Sequence, residues 1–226
     1  MHCLDLHTGK VIWFALTSTA SNRSVNSIAL VNQGVVYVTA NSGFVIAYDS
    51  TTGTENWRLQ INGICDEIVL YQGELLAVTE KSISRLALSN GEILEKKRWG
   101  GRSIRSYAVA GSVLCLVVNE HDRTPLKLQS QLIGIQNGDQ IWTLNYPRWA
   151  QASPFWDESK GLLYESTAFG IGIVDPIKGE RLYSIHGFDD RSEEDDFDQV
   201  CMPDSDDTNL YISHFYGSTY ALRHPS

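Results

Sequence analysis

Seven carboxylates fall within ten residues at Asp189, Asp190, Glu193, Glu194, Asp195, Asp196 and Asp198, interrupted by the single cation Arg191. The run carries a formal −6 of the chain's −9. Charge this concentrated can steer a basic protein onto one face, raising the encounter rate and the selectivity of docking. Hard oxygen donors can also hold a divalent cation such as calcium, but the glycine and terminal glutamate of an EF-hand loop are missing, and no metal site is expected from this spacing. A third reading is a solvated loop. The expectation carried forward is a docking face for a basic protein.

Aromatic rings joined to guanidinium groups anchor interfaces, and the chain offers them in Arg98-Trp99-Gly100-Gly101-Arg102 and Tyr146-Pro147-Arg148-Trp149. Arg148, Trp149, Phe169 and Tyr216 complete the candidate partner-binding set beside the acidic run. A separate polar set comes from aligning the repeats described below, which brings Asn26, Cys65, Arg105, Gln151 and Gln199 to one position. Of these, Asn26, Arg105, Gln151 and Gln199 could line a channel mouth, where they would either take a small polar ligand or stay hydrated.

Enzymatic signatures are absent. The six histidines form no HExxH pattern, and no nucleophile elbow, P-loop or dinucleotide fingerprint occurs. Cys3, Cys65, Cys115 and Cys201 are far apart and lack metal-ligand spacing, which fits reduced thiols. No cofactor is expected.

The elements that must position these residues are set by a repeat of about 43 residues. Cys3-x-Asp5-x-x-Thr8-Gly9-x-x-x-Trp13 returns as Ala47-x-Asp49-x-x-Thr52-Gly53-x-x-x-Trp57, and weaker copies follow. Closing aromatics read at Trp13, Trp57, Trp99, Trp142 and Tyr183 give steps of 44, 42, 43 and 41 residues. A fixed period of this size means one supersecondary unit used repeatedly. In the second copy the strand formers Ser27 to Val31, Val35 to Ala40, Phe44 to Tyr48 and Glu55 to Leu59 are separated by Gly, Asn and Asp turns. Four short strands per repeat make one blade of a β-propeller.

These motifs resemble the Trp-docked repeats of the quinoprotein β-propellers, over nearly the whole chain. The likeness is strong in the first two signatures and weaker where Asn90-Gly91, Asn137-Gly138 and Lys178-Gly179 replace Thr-Gly. Ala152-Ser153-Pro154-Phe155 resembles the Ser-Pro-apolar first strand of such blades. The enzymes of that family imply about eight blades, an adjacent-cysteine disulfide beside a quinone, and a carboxylate and Asn on calcium. Here no two cysteines are adjacent and 226 residues are too few for eight blades. The resemblance therefore points to the family's non-catalytic branch, which includes an outer-membrane assembly lipoprotein.

Composition bounds the partners. A net charge of −9 and a pI near 5.1 disfavour nonspecific nucleic-acid binding. No signal-peptide pattern or long apolar stretch is present, so the expectation is a cytoplasmic protein without a membrane span. Residues 1–226 read as a single all-β domain of four-stranded blades. The chain begins with third and fourth strands and finishes with first, second and third strands, so five blades closed by both termini are expected, with one strand surplus. The expected function is non-catalytic binding of a basic protein, for example as an inhibitor or immunity partner of a toxin nuclease. The alternatives are a small-ligand or quinone site at the channel mouth, and an assembly scaffold.

Overall fold

The structure, a computed structural model, describes residues 1–17, 29–40, 43–63, 65–98, 102–120, 129–146, 153–167, 170–186, 204–205, 209–213 and 219–223. Among them every regular element is a β-strand, and every pairing is antiparallel between sequence neighbours. Two compact units, Met1–Gly100 and Gly101–Ser226, divide the chain.

The first unit opens with a two-stranded sheet, His2–Leu4 (β1) and Val11–Phe14 (β2). Two four-stranded sheets follow. Leu30–Asn32 (β3), Val35–Ala40 (β4), Phe44–Asp49 (β5) and Glu55–Gln60 (β6) form one. Cys65–Tyr71 (β7), Glu74–Thr79 (β8), Ser82–Leu86 (β9) and Ile93–Arg98 (β10) form the other. Strand β4, Val-Val-Tyr-Val-Thr-Ala, is buried along almost its whole length, whereas β6 alternates. The reason is position: a middle strand packs on both faces and reads as a continuous apolar run, while an outer strand needs only one buried side. Val36 and Val38 face the Trp13 cluster, and Tyr37 packs with Leu75 and Ala77 of the next sheet.

The second unit repeats the arrangement. Arg102–Ala110 (β11), Val113–Glu120 (β12), Gln129–Gln136 (β13) and Asp139–Tyr146 (β14) make one sheet. Phe155–Asp157 (β15), Leu162–Thr167 (β16), Gly170–Asp175 (β17) and Glu180–His186 (β18) make the next. Asp204–Ser205 (β19), Asn209–Ser213 (β20) and Thr219–Arg223 (β21) form a three-stranded sheet. Four complete blades flanked by a two-stranded and a three-stranded sheet match the expected strand order.

Within each unit the Trp residues lock neighbouring sheets. Trp13 donates its indole N–H to the Ser50 carbonyl at 2.9 Å, Trp57 to Leu88 at 2.9 Å, and Trp142 to Pro176 at 2.8 Å. Each acceptor follows the first residue of the next sheet's Asp-x-x-Thr-Gly-type turn. In the intact signature the Asp side chain organises that turn, as Asp49 Oδ1 accepts the Thr51 and Thr52 N–H groups at 3.0 and 2.8 Å. These bonds, the Thr52 N–H foremost, hold the Asp49 carboxyl below its usual range. A glycine closes the turn because φ is positive, +73° at Gly91, and because the Trp ring lies where a side chain would be: a Cβ on Gly91 would come within 2.6 Å of Trp57.

A bulge recurs in the hairpin before each lock. Ile12, Asn56, Leu94, Ile141 and Leu182 are the extra residues, so Trp13 faces Cys3, Trp57 faces Ala47 and Trp142 faces Gly134. In the third sheet this register sets Glu95 opposite Arg85. The expected closing aromatic at Trp99 is therefore corrected: the position four residues after the turn glycine, filled by Trp or Tyr elsewhere, is Glu95 here. The small residue and ring are exchanged for a charged pair. Arg85 Nη1 donates to Glu95 at 2.7 Å, while its Nε and Nη2 hold Glu74 at 2.6 and 2.9 Å.

Candidate functional site

The strands that lead to the candidate contact residues lie in the second unit. Register places Tyr146, the end of β14, level with Ser130, Asn119 and Ser103 at the ends of β13, β12 and β11. In the next sheet Thr167 is level with Gly170 and His186, and in the last Ser213 is level with Thr219. In these meanders the β12–β13, β14–β15, β16–β17, β18–β19 and β20–β21 connections therefore leave from equivalent ends of their sheets. By sequence those connections carry Arg148 and Trp149, Phe169, the acidic run and Tyr216. Arg148, Trp149, Phe169, Asp189, Asp190, Glu193, Glu194, Asp195, Asp196, Asp198 and Tyr216 themselves lie outside the described residues, as do Asn26, Gln151 and Gln199.

Arg105 is described, and it is exposed. It is the extra residue of a bulge, since Ile104 pairs with Val118 and Ser106 with Val117. The same bulge occurs in β7, where Cys65 pairs with Thr79 and Glu67 with Val78. Position 66, not Cys65, is thus the equivalent of Arg105, and Cys65 is buried in the core beside Ile68. The bulge is common to both strands and cancels between them, so counting back from the hairpin pairs Tyr71–Glu74 and Ala110–Val113 sets Arg105 level with position 66 and shows the grouping with Cys65 to be off by one.

Sequence reasoning missed a buried polar layer at this end of the unit. Ser130 Oγ donates to Asn119 Oδ1 at 2.6 Å, while Asn119 Nδ2 and Ser103 Oγ are buried and have no hydrogen-bond partner among the described residues. On the same level the Tyr146 hydroxyl donates to Glu165 Oε2. Arg181 Nε donates to Glu165 Oε1 at 2.6 Å, and its guanidinium carbon stands 5.9 Å from the centre of the Tyr146 ring. Burial, and after it the Glu165 charge, pushes the Tyr146 hydroxyl well above the ordinary phenol range. Gly172 makes room, since a Cβ there would overlap the Glu165 carboxylate. A signal was available in the repeat: counted from the first residue of the second strand, Glu165 occupies the place of Val38, Ala77 and Leu116, all buried apolar residues.

Other reactive groups are quiet. Cys115 is buried, and burial pushes its thiol up to about 12, so it is a poor nucleophile at neutral pH. Among the described residues no three His, Cys, Asp or Glu side chains converge as metal ligands. No helix among them is long and apolar enough to cross a membrane, which leaves β-barrel insertion unaddressed.

Four-stranded antiparallel sheets, with Trp locked onto the next sheet's Asp-x-x-Thr-Gly turn or its weaker copies, define a β-propeller of the quinoprotein-repeat class. The sequence profile described as outer membrane protein assembly factor BamB matches residues 1–156, well over half of the chain, and the chain belongs to that family. No curated protein matches it. Among solved structures it is similar to BamB from Moraxella catarrhalis, with a TM-score of 0.54, 13% identity, and coverage of 96% of this chain and 77% of that one. It is also similar to the computationally designed Ika8 protein, with a TM-score of 0.53, 11% identity, and coverage of 91% and 72%. At these identities the likeness is one of fold.

Proposed function

We propose that the chain is a non-catalytic protein-docking propeller, of the kind used to bring other proteins together in assembly. The observation that carries this reading is the match of residues 1–156 to a family described as an assembly factor. The fold supports it: Trp locks and core clusters hold the sheets within each unit, while the connections vary, which is how a scaffold presents a binding surface. The assembly reading gains on the toxin-inhibitor reading for this reason alone.

The finer form concerns the partner. The seven carboxylates between Asp189 and Asp198 favour a basic protein, with Trp149 and Tyr216 supplying apolar contact. A nuclease bound as an inhibitor's target is one such protein. Affinity capture from the source cell followed by kinetics tests this. Replacing Glu193, Glu194, Asp195 and Asp196 by Lys should slow association and flatten its salt dependence, whereas Trp149→Ala should hasten dissociation. A captured partner whose association rate and salt dependence ignore the fourfold reversal removes the acidic run from the site. Catalytic turnover of a small molecule by the purified chain would overturn the non-catalytic reading. Cys3, Cys65 and Cys115 form no disulfide among the described residues, which fits the reducing, cytoplasmic setting included in this proposal, and cell fractionation checks it.

Blade number belongs to the same proposal. Five blades arise if the β1–β2 and β19–β21 sheets share one blade with β1 or β21 displaced. Spin labels at Ile12 and Tyr211, both exposed, would then lie a few strand spacings apart, each spacing about 4.8 Å. A long distance between them rules that arrangement out.

A further inference from the structure

We propose that β10 is a docking edge for an acidic, extended segment of a partner protein. Strand β10 is terminal in its sheet, whose order is β10-β9-β8-β7, so one side of it has no ladder partner among the described residues. The strand reads Ile93-Leu94-Glu95-Lys96-Lys97-Arg98. Ile93 and Leu94 are exposed at 41% and 49%, and three consecutive cations follow. The strand's one carboxylate is already compensated, because Glu95 is held by Arg85 at 2.7 Å. Lys96 and Arg98 have no ion-pair partner among the described residues, so the edge presents uncompensated positive charge.

The fourth strands of the other blades and β2 lack this feature. β2 carries no charge, and in β6 Arg58 is paired with Glu55 at 2.6 Å. β14 carries only Asp139, and in β18 Arg181 is bound to Glu165. β10 is also the outer strand where Glu95 stands in place of the locking aromatic. Its positive charge runs against a chain of net −9, so it is local and not a consequence of composition.

These features fix the occupant's chemistry. An added strand gains main-chain hydrogen bonds from an exposed edge, and side chains at alternate positions supply selectivity. Lys96 and Arg98 are two residues apart, opposite Ser84 and Ser82, and so lie on one face. Carboxylates at alternate positions of an incoming strand match that spacing, and an apolar residue at the end of that strand, beyond the carboxylates, would meet Ile93 and Leu94. Lysines on an edge strand commonly repel unwanted pairing. They repel neutral or basic strands and copies of themselves, and attract an acidic one.

The proposal does not rest on the acidic run, which has the opposite sign and lies in the other unit. The test uses the full chain and three labelled octapeptides alternating Val with Glu, Ser or Lys, followed by fluorescence anisotropy. The Glu peptide should bind roughly tenfold or more tighter than the Ser peptide and weaken with salt, and the Lys peptide should not bind. Hydrogen exchange should slow at amides 93–98. The K96E/R98E variant should reverse the preference, and K96S/R98S should abolish it while keeping the edge soluble by Glu95 and Lys97. Equal affinity for the Glu and Ser peptides, a preference unchanged in both variants, or exchange protection elsewhere would overturn the assignment, leaving the cations as guards of a bare edge.

Discussion

Gly91 and Gly138 occupy the same turn position with left-handed backbones, φ +73° and +86°, yet their surroundings differ. A Cβ on Gly91 would press 2.6 Å from the Trp57 ring, whereas one on Gly138 meets nothing within 4 Å. Alanine at either site carries the left-handed strain of roughly 1–2 kcal/mol. Only Gly91→Ala should add an overpacking cost of about 1–3 kcal/mol, because the ring must shift and strain its bond to the Leu88 carbonyl. Trp57→Ala alone should cost about 3–5 kcal/mol. In the Trp57→Ala background the extra cost of Gly91→Ala should vanish, leaving the strain shared with Gly138→Ala. Urea denaturation of the four variants reads these differences, and equal costs for the two glycines would mean that ring contact does not set the lock.

Between sheets, the Tyr146–Glu165–Arg181 cluster is a charged element in a position the repeat otherwise fills with Val38, Ala77 and Leu116. Glu165 is 2% exposed but Arg181 reaches solvent, which moderates the cost of breaking the pair. Glu165→Ala should destabilise by roughly 3 kcal/mol, because the Arg181 head and the Tyr146 hydroxyl lose their acceptor. Tyr146→Phe should cost about 1–3 kcal/mol, and the double variant less than the sum. The raised Tyr146 hydroxyl has a pH signature. A group whose folded value lies above its unfolded value contributes stability that is intact below about pH 10 and declines as pH rises towards the folded value. Tyr164, pushed up to about 12 by burial, acts in the same direction. Stability should therefore begin to fall above about pH 10, and Tyr146→Phe should make that fall shallower by about 1.4 kcal/mol per pH unit. A slope identical to that of the parent chain would contradict the buried, protonated phenol.

How much of this was legible from sequence depends on what each feature does to the pattern. Strands β2 and β4 were readable to the residue, since apolar runs bounded by Gly turns leave little freedom in register. Trp99 was misread because the count followed aromatics, and the true landmark is the interval of four from the turn glycine. Cys65 was set one place out because the alignment of first strands had no fixed landmark, whereas the hairpin pairs Tyr71–Glu74 and Ala110–Val113 supply one. The buried row of Ser103, Asn119 and Ser130 escaped notice because small polar residues in a strand are common, and only pairing shows them level with Tyr146. Of the candidate site, the strands that flank its connections were legible, whereas the acidic run, Arg148, Trp149, Phe169 and Tyr216 lie outside the described residues.

At the scale of the whole molecule, two features of opposite sign share one net charge of −9, and their pH responses should diverge. Between pH 7.5 and 5.5 the chain moves towards its pI near 5.1 and loses much of its net negative charge, while lysines and arginines stay charged. At low ionic strength, where the Debye length is about 30 Å at 0.01 M, this bulk field reaches both surfaces. A basic probe drawn to the acidic run should bind more weakly at pH 5.5. A Glu-bearing strand at β10 should bind more tightly, because the molecule repels it less while its own carboxylates, with ordinary values near about 4.3, remain mostly ionised. Salt should compress both changes, since screening removes the distant charge first and leaves the contacts at Lys96 and Arg98. Anisotropy titrations of a Lys-rich and a Glu-rich peptide at the two pH values, in low and physiological salt, measure the pair directly. If both affinities moved in the same direction with pH, a single surface would be binding both probes and the separation into an acidic docking face and a basic edge would fail.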